Sequence, residues 1–116
     1  MSFKFVTYSG ELNPHQVKVL CRNGQRIEDV NPWIRVGFDY PRWGWGEAGI
    51  STTRTALALL VDSFRPDFAY ELACKLADDI ISKLNPDGWT MTRGALLLWV
   101  GTVGVEEEND LLRARG

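Results

Sequence analysis

The chain has 116 residues, 45% of them hydrophobic, and carries 13 Lys and Arg against 15 Asp and Glu. That suits one domain with a single core and needs neither a metal nor a disulfide framework to hold it. The formal charge of −2 divides as about +1 over residues 1–50, −1 over 51–100 and −2 over the last sixteen. No segment is therefore a basic arm for phosphates, and no duplex DNA partner is expected. Cys21 and Cys74 stand far apart among apolar neighbours and fit neither a metal spacing nor a bridged scaffold, as buried free thiols do. No apolar run approaches the roughly 20 residues that span a bilayer, and the start lacks a signal-peptide pattern. A soluble, unprocessed, cytoplasmic protein with no membrane contact is the expectation.

The first third reads as β structure. Phe3 and Phe5 alternate with Lys4 and Val6, and Val17, Val19 and Cys21 alternate with Lys18, Leu20 and Arg22, the period of half-buried strands. Asn23-Gly24 supplies the positive φ angles of a two-residue hairpin turn, with residues 25–30 returning beside the second strand. Asn31-Pro32 breaks regular structure, and a short strand is expected over residues 34–38.

The second half turns helical. Residues 53–64 hold the nearly all-apolar run Ala56-Leu57-Ala58-Leu59-Leu60-Val61, which predicts a central helix with Ser51 or Thr52 as its N-cap. Residues 67–84 place Phe68, Leu72, Leu76, Ile80 and Leu84 on one stripe, with Glu71/Lys75 and Asp79/Lys83 spaced as outer ion pairs. Asn85-Pro86-Asp87-Gly88 stops this helix, Trp89-Thr90-Met91 reads as a strand, and Thr92 caps a last helix through Trp99. Periodicity leaves the six apolar residues 95–100 open between helix and buried strand. The fold class is α+β, an N-terminal β-hairpin or small antiparallel sheet packed on two to three helices. Residues 1–105 form the single domain and 106–116 an acidic tail.

Trp43-Gly44-Trp45-Gly46-Glu47-Ala48-Gly49, running into Ser51, Thr52, Thr53 and Arg54, is the densest chemical signal. Interleaved glycines let a backbone turn tightly and approach another surface, and indoles offer large flat faces. Gly44-x-Gly46-x-x-Gly49 has the spacing of a dinucleotide fingerprint ahead of a helix. A dinucleotide fold also needs a parallel strand after the helix and an acid at a strand end about 20 residues on, whereas Asp62 and Asp67 fall in or between helices. A smaller possibility is that Ser51, Thr52, Thr53 and Arg54 contact a phosphate while Trp43 or Trp45 stacks on a base, with help from Arg35 and Arg42. Against this, Glu47 sets a carboxylate in the loop, and the glycines equally permit a tight crossing with both indoles in the core.

These residues also carry a resemblance. A β-rich start, a W-G-aromatic-G-x-x-G loop, an A-L-A-L-L helix, an amphipathic helix and a closing G-W-x-x-T resemble a family of small bacterial and phage domains of unknown function, family 6166. Its typical core reads W-G-Y-G-G-S-G-P-A-x-L-A-L-x-L-L. Trp43, Gly44, Trp45, Gly46 and Gly49 match the loop, Ala56 to Leu60 the helix, and Gly88, Trp89 and Thr92 the closing segment. Glu47 and Ala48 replace the Gly-Ser pair, the proline is absent, and two extra residues precede the Ala-Leu run. The resemblance implies an architecture and carries no chemistry with it.

His15, the only histidine, has no nucleophile at a motif spacing, and the acidic residues on the helices read as solvated faces or caps. Neither an enzyme nor a metal or other cofactor is expected. Two binding classes remain. One is a protein-interaction module, such as a phage or mobile element uses to occlude a host protein, with Trp33, Tyr40, Trp43, Trp45, Arg35 and Arg42 as its hot spot. The other holds a nucleotide or other phosphorylated small molecule at the Gly/Trp loop. Exposed tryptophan also suits a homodimer interface.

Overall fold

The computed structural model describes residues 6–37, 42–64 and 66–103. The expected strand residues Phe3 and Phe5, and the tail 106–116, lie outside them. Strand β1 (Thr7–Leu12) is the first described element, and β2 (Lys18–Arg22) returns beside it. Asn13 organises the intervening turn, its side-chain oxygen accepting the N–H groups of His15 and Val17 at 2.8 and 3.0 Å. Asn23 and Gly24 take φ angles of 51° and 82° and turn β2 into β3 (Gln25–Arg26).

The return strand is only two residues long. Helix α1 (Ile27–Val30) follows directly, with Ile27 fully buried, so the expected strand over 25–30 is mostly helix. The strand expected from Ile34 is also corrected: Pro32–Gly37 form helix α2. Asn31 caps it, accepting the Trp33 N–H at 3.0 Å, and Pro32 occupies the first helical position, where its missing N–H costs nothing. Asn-Pro here starts a helix rather than a turn.

Helix α3 (Ile50–Ser63) begins three residues before the expected start, with Gly49 and not Ser51 or Thr52 at the cap position and no side-chain cap bond. It buries Thr52, Thr55, Ala56, Ala58, Leu59 and Leu60, as an apolar run without a polar face should. Helix α4 (Pro66–Asp79) buries Leu72 and Leu76 of the expected stripe but stops before Ile80. A 3₁₀ turn (Ile81–Lys83) takes over, with Ile81 fully buried and its carbonyl accepting the Gly46 N–H at 3.0 Å. Strand β4 (Gly88–Thr92) leads without a loop into helix α5, described over 93–103. Thr92 caps α5 through the Ala95 N–H at 3.1 Å, and Leu96, Val100 and Val103 turn inward, which assigns residues 95–100 to helix.

The fold is α+β. The sheet is antiparallel with order β3-β2-β1-β4, so the chain's first described strand is central and is completed by its last. Register sets Tyr8 opposite Arg22 and Met91, and Gly10 opposite Leu20 and Trp89, all on the face that packs into the core. Gly10 is where the sheet admits aromatic bulk: a Cβ there would lie 2.6 Å from Trp89 Cε2 and 3.0 Å from Trp45 Cη2. The two indoles meet edge to face, with centroids 5.7 Å apart and planes at 83°. Gly10→Ala is expected to lower the unfolding free energy by about 2–3 kcal/mol through overpacking, read from urea denaturation. A change below 0.5 kcal/mol would contradict this packing.

Candidate functional site

The Gly/Trp loop lies on the first turns of α3. Gly44 makes the approach possible: a Cβ would sit 2.7 Å from the Thr52 backbone nitrogen and 2.8 Å from Ser51 Cβ. Its N–H donates to Thr55 Oγ1 at 2.8 Å, a bond buried inside the contact. Thr52 is buried and donates to the Glu47 carbonyl at 2.7 Å. Thr53 bonds back to Gly49 through its N–H at 3.1 Å and its hydroxyl at 3.3 Å.

Both loop indoles are inside. Trp43 is 6% exposed and Trp45 fully buried, its N–H donating to the Pro86 carbonyl at 3.1 Å. Lys18 covers Trp45, with Nζ 5.2 Å from the ring centroid and donating to the Trp45 carbonyl at 3.0 Å. Glu47 stands 3.9 Å from that ammonium on the outside, a surface pair worth under about 1 kcal/mol. The segments that carried the resemblance thus meet: the loop contributes Trp45, the closing strand Trp89, and both rest over Gly10.

The remaining site residues divide. Gly49, Thr53 and Arg54 come together with Ile50 and Leu57 around an open cavity of about 450 Å³. Arg42 is exposed at the loop entrance. Arg35 belongs to α2, where it donates to the Glu28 carbonyl at 3.1 Å and pairs with Asp29 at 3.5 Å. Trp33 is 71% exposed on the same helix, and Tyr40 lies outside the described residues. His15 is exposed in the β1–β2 turn. Among the described residues, no group of three or more His, Cys, Asp or Glu is placed to hold a metal ion, and no helix is long and apolar enough to cross a membrane.

The most developed polar cluster was not legible as one. Asp62 is neither a cap nor part of a solvated face: its side chain is 0% exposed at the end of α3. Oδ1 accepts from Arg22 at 2.7 Å and Asn31 at 2.8 Å; Oδ2 accepts from Tyr8 at 2.7 Å and Arg93 at 2.9 Å. Arg22 also reaches the Val30 carbonyl at 3.3 Å, and Arg93 the Tyr8 hydroxyl and the Asp62 carbonyl. The Tyr8 hydroxyl lies 2.7 Å from Ser63 Oγ. With four donors, the carboxylate has no lone pair left for a substrate proton, and the cluster acts as a clamp. An acid at the close of an otherwise apolar helical run was its one sequence signal.

Asp62→Asn would leave two guanidinium groups without their counter-charge. Each keeps more than a quarter of its side-chain surface in water, so the expected loss is at the low end for a broken buried pair, about 3 kcal/mol by urea denaturation. A loss under 1 kcal/mol would show that the clamp is dispensable. Burial first, then the Asp62 carboxylate, push the Tyr8 phenol from 10.0 up to about 12, with Ser63 and Arg93 pulling the other way. The folded state therefore holds this proton more tightly than the unfolded state. The contribution is full below pH 10 and falls as pH rises toward 12. Ultraviolet titration should show one phenol ionising near pH 12, absent in Tyr8→Phe.

The model of a family of unknown function, DUF6166, matches residues 8–102, from Tyr8 in β1 to Thr102 in α5. No curated protein and no solved structure matches the chain. The matched span takes in every strand and helix described above except the first residue of β1 and the last described residue of α5, together with Tyr8, Arg22, Asn31, Asp62 and Arg93 of the clamp and both halves of the Trp45–Trp89 contact. The chain belongs to the family of unknown function DUF6166.

Proposed function

We propose that the chain is a non-catalytic protein-interaction module whose principal contact is Trp33. The supporting observation is the 71% exposure of this indole on a helix whose first turn is fixed by Asn31, itself held by Asp62. A tryptophan side chain offers roughly 150–250 Å² of apolar surface, and leaving it in water on a rigid helix is unfavourable unless a partner covers it. Arg35 stands two residues on, braced against α1 by Glu28 and Asp29. Trp and Arg are the side chains most enriched at binding hot spots. Burial of Trp43 and Trp45 moves the contact away from the Gly/Trp loop, whose part is to hold α3 and the sheet together. Two unpaired cysteines favour a reducing compartment, the cytoplasm.

A second reading has its own observation. The cavity beside Gly49, Ile50, Thr53 and Arg54 adjoins a helix start without a side-chain cap, where backbone N–H groups and the helix dipole favour an anion. A phosphorylated small molecule would be held there through its phosphate, since neither loop indole presents a face for a base.

Trp33→Ala should leave the circular dichroism spectrum unchanged and the melting temperature within about 2 °C, as surface substitutions do. It should weaken binding of a protein captured by the wild-type chain about 30-fold or more, the loss of a hot-spot side chain. Equal retention by wild type and variant would contradict the reading. A nucleotide panel that raises the melting temperature of both equally, with the rise lost in Arg54→Ala, would favour the cavity.

A further inference from the structure

Helix α5 departs from the rule that a surface helix turns apolar residues inward and charge outward. Leu96, Val100 and Val103 face the core, and Arg93 is turned to Asp62. Trp99 donates to Asp79 on one flank at 3.2 Å. The outer side carries Gly94, Ala95, Leu97, Leu98, Gly101 and Thr102, all exposed and none charged. Leu97 is 47% and Leu98 77% exposed. This is the one described helix whose outward residues hold no charge over their whole length.

The glycines sharpen the anomaly. Glycine is less favourable than alanine in a helix, so two on one exposed face call for a reason. Among the described residues the fold supplies none: a Cβ at Gly101 would meet no described atom within 4 Å, and one at Gly94 only Thr92 Oγ1 at 3.8 Å. Gly94, Leu97, Leu98 and Gly101 fall at i, i+3, i+4 and i+7, one stripe of the helix. The stripe reads the same in both directions, small-large-large-small.

We propose that the outer face of α5 is the contact for a second copy of this chain, packed antiparallel about a two-fold axis between Leu97 and Leu98. Under that symmetry Leu97 of one copy meets Leu98 of the other, and each Gly94 faces the Gly101 of its mate, letting the helices close around the leucines. A face without charge gives an acidic or basic partner nothing to pair with, and its match is a face equally free of charge. A described helix of eleven residues is about 16 Å long. A contact of that length is expected to bury less than the roughly 800 Å² per partner of a standard stable interface, so the dimer is reversible. The contact does not involve Trp33 and stands apart from the proposed partner site.

Sedimentation equilibrium on the full chain tests this at concentrations up to the order of 100 μM, the range of a weak dimer. Wild type should approach the dimer mass, while Leu98→Glu should remain monomeric with an unchanged circular dichroism spectrum and melting temperature. Leu97→Lys should also be monomeric alone, and mixing it with Leu98→Glu should restore a heterodimer by setting Lys opposite Glu. A wild-type chain that stays monomeric overturns the proposal and leaves residues 104–116 or an unrelated protein to cover the face. A dimer that survives Leu98→Glu overturns it by placing the contact elsewhere, and failure of the mixed pair to associate overturns the antiparallel register.

Discussion

Asp62 is the point at which separate parts of the chain are tied. Its two oxygens accept from β1 through Tyr8, from β2 through Arg22, from the start of α2 through Asn31 and from the start of α5 through Arg93. Each tie does a different job. Tyr8 and Arg22 are opposite one another in the sheet, so their bonds to α3 fix the helix against a particular strand register. Asn31 spends its amide nitrogen on Asp62 and its oxygen on the Trp33 N–H, which couples the clamp to the helix presenting the exposed indole. Arg93 joins the last helix to the first described strand and to α3 in one side chain. A carboxylate taken out of water is costly unless it is fully paired, so the arrangement disfavours alternatives in which any one donor is misplaced.

The opposite end of the core is held by shape rather than charge. Gly10 leaves a gap in the central strand, Trp45 and Trp89 fill it from segments more than forty residues apart, and Lys18 closes over the outside of Trp45. The Gly/Trp loop has the glycine spacing of a phosphate-binding turn, yet two of its three glycine N–H groups are committed, Gly44 to Thr55 and Gly46 to Ile81. What it leaves open is the rim of a cavity at the start of α3. Cys21 is equally withdrawn, since burial and its hydrogen bond to Glu11 raise the thiol to about 11 and leave it a poor nucleophile at neutral pH.

Local signals explain most of what was readable in advance. The Asn23-Gly24 turn, the apolar run of α3 and the Thr92 cap each declare themselves within a few residues, and each lies where expected. Failures came where two local signals compete or where the decisive partner is distant. Asn31-Pro32 suits a turn and a helix start alike, and it is the anchoring to Asp62, thirty-one residues on, that accompanies the helix. The 67–84 stripe continues past the end of α4 because Ile80 and Leu84 still face the core after the backbone has left the α-helix. Trp43 and Trp45 carried no sequence mark of inside or outside, since the space for Trp45 is left by a glycine in another strand. The clamp was hidden for the same reason: Arg22, Asp62 and Arg93 are unremarkable residues until register and helix placement bring them together.

With the loop indoles enclosed, the surfaces proposed for protein contacts are Trp33 on α2 and the uncharged face of α5. The most direct measurement is tryptophan-by-tryptophan solvent contact, made by ¹⁹F NMR of fluorotryptophan-labelled protein with a soluble paramagnetic relaxation agent. Trp33 should broaden strongly, Trp45 and Trp89 should be nearly unaffected, and Trp43 should change little. If Trp43 or Trp45 broadened as much as Trp33, the loop would be an open surface and its role as an internal brace would be contradicted.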